Sequence, residues 1–369
     1  MPARGGWLQG VVAQSIPIRF TITNRGVEMP RAARFQGVGQ PLKVGETPKP
    51  KIGPGEVLVK VKAAGVCHTD LHMLDGAIPA MPNVTLGHEF AGEVEEVGAA
   101  VTRVKVGDGN VVQFFSPCGA CRHCIEGRAT QCEHLFERPS YGASRDGGFA
   151  DYCAVEADRL VPIPKDVPFD FAATLGCAGL TAYHAVNTVG RVTRSDIVGI
   201  YGVGGVGIYA VQIAKINGAK VIAMDRRDEK LDMAKKFSAD AAVSVARGDL
   251  SDQIKRVTEA RNLDVVVDTV ASDESVRNYT GSLANGARIV FVGLGGRPVP
   301  LDPSMLVMRE LSVSGCLAGT KGELAELLEL AKSGKLHSAA ALRFGLDEVN
   351  KAVAALRSGD VAGRAYLVP

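Results

Sequence analysis

From Ile197 onward, short apolar runs alternate with longer stretches in which apolar residues return every three or four positions. The runs Ile197–Tyr201, Val221–Asp225, Ala241–Val245, Val265–Val270, Arg288–Leu294 and Leu311–Gly315 predict strands. Between them Val206–Asn217, Asp228–Ser238, Leu250–Ala260, Asp273–Leu283 and Pro303–Met308 predict helices. Such alternation implies an α/β unit, a parallel sheet with helices on both faces. Upstream the pattern is different. Val57, Val59 and Val61 alternate with Lys60 and Lys62 behind the turn Gly53-Pro54-Gly55, which predicts a half-buried strand. Short strands and turns continue through Val84–Gly109, Asp146–Tyr152 and Arg159–Pro164, so this part reads as mostly β and barrel-like. Pro164 to Pro168 marks a boundary before a helix over Phe169–Val189. After Gly319 come an amphipathic helix at Glu323–Lys332, a second at Asp347–Arg357 and a closing strand at Ala365–Val368.

Between the first α/β strand and its helix lies Gly202-Val-Gly204-Gly205-Val206-Gly207, in G-x-G-x-x-G spacing. In such a turn Gly202 permits the bend, Gly204 lets backbone approach a diphosphate, and Gly207 lets the helix sit close on the sheet. The helix N-terminus then offers free N–H groups to an anion. The next strand ends in Asp225, about 20 residues on, where an acceptor for a ribose 2′-hydroxyl is expected. A glycine-rich corner beside an exposed aspartate is the plainer reading of the same letters.

Charge adds only exclusions. Lys+Arg number 42 against Asp+Glu 40, which gives no global case for nucleic acid or an anionic membrane. No apolar run approaches the ~20 residues that cross a bilayer. Residues 1–28 carry Arg4, Arg19 and Arg25 with no acid before Glu28. We read them as a flexible extension, with a transit-type leader as the alternative.

Eight cysteines change the picture, because four crowd into one segment. Cys118, Cys121, Cys124 and Cys132 form C-x-x-C-x-x-C-x(7)-C, which can close tetrahedrally on zinc and leave no open position. An iron–sulfur cluster also takes four cysteines, though its usual spacings differ. Elsewhere stand Cys67-His68-Thr69-Asp70-Leu71-His72, Gly87-His88-Glu89 and Cys177-Ala178-Gly179-Leu180-Thr181. Cys67, His88 and Cys177 would make a Cys2His set with a fourth position open for substrate, but spacing alone does not join them.

Across Met29 to Pro369 the chain resembles the zinc-dependent medium-chain dehydrogenase/reductase family, the zinc alcohol dehydrogenases. The motifs that carry this are C-H-T-D-L-H at Cys67, G-H-E at Gly87, the four-cysteine loop, D-G-G-F-A at Asp146, C-A-G-L-T at Cys177 and G-V-G-G-V-G at Gly202. The resemblance implies a Rossmann doubly wound parallel sheet over 178–316. It also implies a GroES-like, mostly-β catalytic domain built from 29–177 and completed by 317–369.

Residue by residue, the resemblance implies a catalytic zinc on Cys67, His88 and Cys177 and a structural zinc on the four-cysteine loop, two zinc ions per chain. Glu89 is the carboxylate that can approach the metal, Asp70 orients His88, Thr69 accepts the substrate hydroxyl proton, and His72 ends the relay to solvent. Thr69 and Asp70 could equally cap a helix. For the cofactor, His68 and Arg364 meet the pyrophosphate, Thr181 lies on the nicotinamide side, Lys230 reaches the adenosine ribose, and Gly205 and Val206 belong to the turn. Asp225 favours NAD, while Arg226 and Arg227 could admit the 2′-phosphate of NADP.

The implied reaction is reversible oxidation of a primary or secondary alcohol, by a cytoplasmic homodimer or homotetramer. Polyol, threonine or formaldehyde dehydrogenases and a non-catalytic zinc-stapled nucleotide binder are the alternatives. Leu74 stands near a position where some relatives carry a large aromatic, which suggests a roomier pocket, and Phe114 and Phe115 are candidate lining. Gly107-Asp108-Gly109-Asn110 lacks the arginine common after G-D in this family, a departure expected to affect a turn. Cys153 and Cys316 read as buried fillers.

Overall fold

The structure, a computed structural model, describes residues 29–295 and 298–369. The reading of residues 1–28 as an extension or leader lies outside them. Its strands in chain order are β1 (Arg31–Arg34), β2 (Lys43–Glu46), β3 (Glu56–Gly65), β4 (Glu89–Val97), β5 (Gly109–Val112), β6 (Tyr152–Glu156), β7 (Leu160–Pro162) and β8 (Ile197–Tyr201). They continue with β9 (Lys220–Asp225), β10 (Ala241–Ser244), β11 (Leu263–Asp268), β12 (Leu283–Phe291), β13 (Ser312–Gly315), β14 (Ala340–Gly345) and β15 (Arg364–Val368). The helices are α1 (His68–Leu74), α2 (Arg122–Ile125), α3 (Phe169–Thr174), α4 (Leu180–Tyr183), α5 (Gly205–Ile216) and α6 (Asp228–Lys236). After them come α7 (Leu250–Val257), α8 (Asp273–Thr280), α9 (Pro303–Met308), α10 (Lys321–Lys332) and α11 (Val349–Ser358).

Strands β8 to β13 form one sheet in the order β10-β9-β8-β11-β12-β13, with every pairing parallel. This is the doubly wound Rossmann order, and its switch point lies between β8 and β11, where such sheets bind ligands. Strand β8 is buried along its whole length, as a central parallel strand covered on both faces must be. The second sheet runs β14-β15-β3-β4-β5-β7, with β6 also on β3. Strands from the end of the chain thus complete a β unit begun near its start. Strand β3 is more buried than its alternation implied: Leu58 is as fully buried as Val57 and Val59, while Lys60 stays exposed.

Two differences from the sequence pattern have local causes. The helix expected over Phe169–Val189 forms in pieces, α3 and α4 each being followed by a π-helical turn, at Leu175–Gly179 and His184–Val189. Such turns widen a helix and re-aim its side chains, and the first of them carries Cys177. Strand β11 ends at Asp268, two residues earlier than expected, because the buried Asp268 Oδ1 accepts the N–H groups of Val270 and Ala271 at 2.9 and 2.8 Å. Strands β1, β2 and β14 were not foreseen.

Candidate active site

Cys67 leaves β3 and caps α1, and the helix start positions the residues around it. Asp70 Oδ2 accepts the Cys67 N–H at 2.9 Å, while its Oδ1 lies 3.6 Å from His88 Nδ1. The buried Asp70 therefore caps the helix start and faces the histidine at once. That 3.6 Å gap is longer than a hydrogen bond. Thr69 Oγ1 sits 3.6 Å from the Cys67 sulfur, and His72 lies one turn further along α1, half-buried. His88 enters from the loop before β4, and Phe114 packs its ring against the imidazole at 5.0 Å.

The ligand atoms of Cys67, His88, Glu89 and Cys177 all lie within 4.8 Å of one another, and all four residues are buried. Both ring nitrogens of His88, together with Glu89 Oε1, have no hydrogen-bond partner among the described residues. Orphaned buried polar atoms cost about 1–3 kcal/mol each, and two sulfurs, an imidazole and a carboxylate this close make a donor set that fits a zinc ion. Its protonation points the same way. The hydrogen bond with Cys177 holds the Cys67 thiol well below its ordinary value, and the same bond, together with burial, drives Cys177 well above it. Burial alone would lower the His88 imidazole, but Asp70 and Cys67 outweigh it and raise it. A divalent ion held by both sulfurs would favour the thiolate form of each.

Glu89 Oε2 accepts from Arg364 in a fully buried ion pair. Burial pushes the Glu89 carboxyl up, and Arg364 opposes the shift. Arg364 starts β15 and packs over Gly205, where any side chain would collide with it. The metal cluster and the glycine turn thus share one arginine. In that turn Gly202 adopts φ +84°, and its carbonyl accepts the Thr269 hydroxyl at 2.7 Å, which ties the turn to the end of β11. A side chain on Gly207 would strike the Gly202 carbonyl, whereas Gly204 faces open space.

Asp225 closes the turn from the next strand. Its Oδ2 accepts Val203 N–H at 2.9 Å and its Oδ1 accepts Arg227 N–H at 3.0 Å. The Arg227 side chain turns away to Ser358 O and Asp360, leaving Arg226 exposed beside Asp225. His68 keeps an open face, yet partial burial lowers its imidazole against the pull of Cys67, and Arg364, His72 and Lys230 add to the lowering. Those side chains therefore gather around one end of α1. Thr181 is buried in α4, and its carbonyl accepts from Cys316 Sγ at 3.7 Å. Leu74 and Phe114 are buried and Phe115 is half-buried. The pairing of Glu89 with Arg364 and the hold of Thr269 on Gly202 had no sequence signal.

The second cluster is the four-cysteine loop, folded around α2, with its four sulfurs within 4.8 Å of one another. Four sulfurs at ~2.3 Å from one zinc would sit about 3.8 Å apart, and Cys118 and Cys124 are 3.9 Å apart. Backbone N–H groups of Ala120 and Cys121 bring the Cys118 thiol down to about 6, while burial pushes Cys124 up to about 12. A loop that stabilises thiolate only in part suits a metal that stabilises the rest.

Residues 53–165 match the alcohol dehydrogenase GroES-like domain family, and residues 205–333 match the zinc-binding dehydrogenase family. An alcohol dehydrogenase of Geobacillus stearothermophilus is 38% identical over 340 residues, covering 91% of this chain and 99% of the relative. This chain belongs to the zinc-dependent medium-chain alcohol dehydrogenase family. Within that family it is similar to an NAD-dependent alcohol dehydrogenase of Sulfurisphaera tokodaii, 33% identical and covering 92% of this chain and all of that one. Among solved structures it resembles acetophenone reductase from Geotrichum candidum in complex with NAD, with TM-score 0.84, 31% identity, and coverage of 93% of this chain and 98% of that chain. No helix among the described residues is long and apolar enough to cross a membrane.

Proposed function

We propose that the chain interconverts a primary or secondary alcohol and its aldehyde or ketone, with NAD as the hydride acceptor and zinc on Cys67, His88 and Cys177. The observation that carries this reading is the buried set of two thiols and one imidazole with orphaned nitrogens, next to a Rossmann glycine turn. Zinc supplies a Lewis acid there, which eases loss of the alcohol proton and polarises a carbonyl.

The chain's own side chains do the rest. Thr69, beside the Cys67 sulfur, takes the hydroxyl proton, and His72 passes it to solvent. Asp70 faces His88 Nδ1 and would orient the ring towards the metal. Glu89 supplies a carboxylate that can approach the metal. Asp225 accepts the ribose hydroxyls, and the N–H groups at the start of α5, from Gly205 to Gly207, take the pyrophosphate together with His68 and Arg364. Lys230 reaches the adenosine ribose, and Thr181 flanks the nicotinamide. NAD rather than NADP is supported by the carboxylate of Asp225 and by the NAD-using relatives; Arg226 is the residue that would favour NADP.

A second zinc on Cys118, Cys121, Cys124 and Cys132 staples the loop. We divide the chain into a catalytic part at 29–177 and 317–369 and a cofactor part at 178–316. Cytoplasmic residence fits eight cysteines without a disulfide, and a homodimer or homotetramer fits β13, an edge strand that among the described residues pairs with β12 alone.

Metal analysis joined to turnover tests the reading. Two zinc per chain are expected, with NAD reduction on a panel of primary, secondary, aromatic and polyol alcohols. Cys67→Ala should lose one zinc and the activity. One zinc per chain with unchanged turnover in that variant would overturn the assignment.

A further inference from the structure

The peptide group that joins Gly202 to Val203 lies at the switch point of the parallel sheet, and both residues are buried. It is held from two sides. Its N–H donates to Asp225 Oδ2 at 2.9 Å, at the end of β9, and its carbonyl accepts the Thr269 hydroxyl at 2.7 Å, just past the end of β11. Thr269 has one hydroxyl hydrogen and a second carbonyl in reach, Tyr201 O at 3.1 Å. That oxygen already accepts the Thr269 N–H at 2.9 Å. The hydroxyl therefore serves Gly202, to which the bond is shorter.

The support behind this hydroxyl is firm. Thr269 follows Asp268, which is 0% exposed and whose Oδ1 accepts the N–H groups of Val270 and Ala271 while its Oδ2 accepts the Ser275 hydroxyl at 2.7 Å. A Cβ on Gly202 would lie 2.5 Å from Thr269 Oγ1, so the glycine also leaves the room that the hydroxyl fills.

A dedicated tie is needed because of what glycine permits. Gly202 supplies the φ of +84° that the bend requires, and the same freedom lets the peptide after it rotate. Its carbonyl sits beside the start of α5, where a Cβ on Gly207 would strike it. The N–H groups of that first turn have no partner within the helix, and they are the donors that a diphosphate needs. Released from Thr269, the Gly202 carbonyl would be a buried acceptor next to those donors. It would then compete with the diphosphate for them.

We infer that Thr269 is a positioning residue for the cofactor: its hydroxyl keeps the Gly202 carbonyl occupied, so that the first N–H groups of α5 stay free for the diphosphate. The inference rests on the NAD reading of this cleft. A tie that served the fold alone would cost stability and leave affinity untouched; this one is read in affinity for ligands that carry a diphosphate.

Calorimetric titration of the zinc-loaded protein with NAD, ADP-ribose and adenosine tests it, since the first two carry the diphosphate and the third does not. Thr269→Val keeps the branched shape and removes the hydroxyl. This variant should bind NAD and ADP-ribose about tenfold more weakly or more, the cost of leaving a buried acceptor unpaired, with adenosine affinity unchanged. KM for NAD should rise with kcat at saturating NAD kept, and Thr269→Ser should restore the affinity. Thr269→Ala lacks the same hydroxyl and supplies the comparison if the valine variant does not fold. Equal affinity for NAD with and without the hydroxyl, an equal loss for adenosine, or no rescue by serine would overturn this inference alone. Failure of the unaltered protein to bind NAD would overturn the cofactor reading with it.

Discussion

Glu89 and Arg364 stand 275 positions apart and close on each other as an ion pair, their side chains 0% and 4% exposed. The contact joins the strand that follows His88 to the strand that supports Gly205, so the metal cluster and the cofactor turn share it. Removing one partner of such a pair strands the other charge, at about 3–5 kcal/mol. Arg364→Leu should therefore lose that much stability in urea denaturation of the zinc-loaded protein. The double variant Glu89→Leu/Arg364→Leu should recover most of the loss. A loss below about 1 kcal/mol in the single variant would show that the pair is not a buried staple.

Which parts of this arrangement could be read from letters follows from how each is encoded. The four-cysteine loop is local, and its ligand types and spacing carry the chemistry by themselves. Cys67, His88 and Cys177 are legible as residue types only; their meeting depends on β3, β4 and a π turn converging, and it entered through a family resemblance. The Rossmann strands show in the apolar runs, but β11 stops at Asp268 because a side chain caps it, which periodicity does not register. Arg364 was readable as a phosphate contact and not as the partner of Glu89, since nothing in either local sequence refers to the other.

Asp70 holds the Cys67 N–H and faces His88, so its two functions should separate on substitution. In Asp70→Asn the amide oxygen can keep the cap, and the charge facing the imidazole is lost. Zinc affinity at the catalytic cluster should fall about 10–100-fold, read by competition with a chelator, with little change in the melting temperature of the zinc-saturated protein. Unchanged zinc affinity would remove Asp70 from the role of orienting His88.

At the four-cysteine loop, Cys124 is held protonated by burial while Cys118 is brought down to about 6. A metal that binds all four sulfurs must displace protons, so its removal should loosen the loop and leave the catalytic cluster standing. Cys124→Ser is expected to take zinc from two per chain to one and to lower the melting temperature, with kcat per folded chain largely kept. Equal loss of both metals in this variant would mean that the two sites are not independent.

Asp225 serves the turn as well as the cofactor, since both carboxylate oxygens already accept backbone N–H groups. Asp225→Ala should raise KM for NAD and, with Arg226 exposed alongside, shift the ratio of kcat/KM for NADP over NAD upward by about tenfold or more. Steady-state kinetics with both cofactors measures this. Higher kcat/KM with NADP in the unaltered protein would sink the NAD assignment.

The acid limb of stability should carry the signature of Glu323. Its side chain is 13% exposed and accepts from His184 at 2.8 Å and from the Thr320 N–H at 2.7 Å. Burial alone would raise its carboxyl, but His184, Thr188 and Thr320 bring it down to about 2. An unfolded glutamate titrates near 4.3, so the folded state binds fewer protons between those values. The stabilisation is then fully present above about pH 4.3 and is lost as pH falls towards 2, by about 1.4 kcal/mol per unit. Comparing the native protein with Glu323→Gln by urea denaturation isolates this group from the thiols that shed metal in acid. The variant should be less stable by about 3 kcal/mol at pH 6, and the gap should narrow by more than about 1 kcal/mol at pH 3.5. A gap that stays constant from pH 6 to pH 3.5 would mean that Glu323 is not held ionised by His184 and the helix cap.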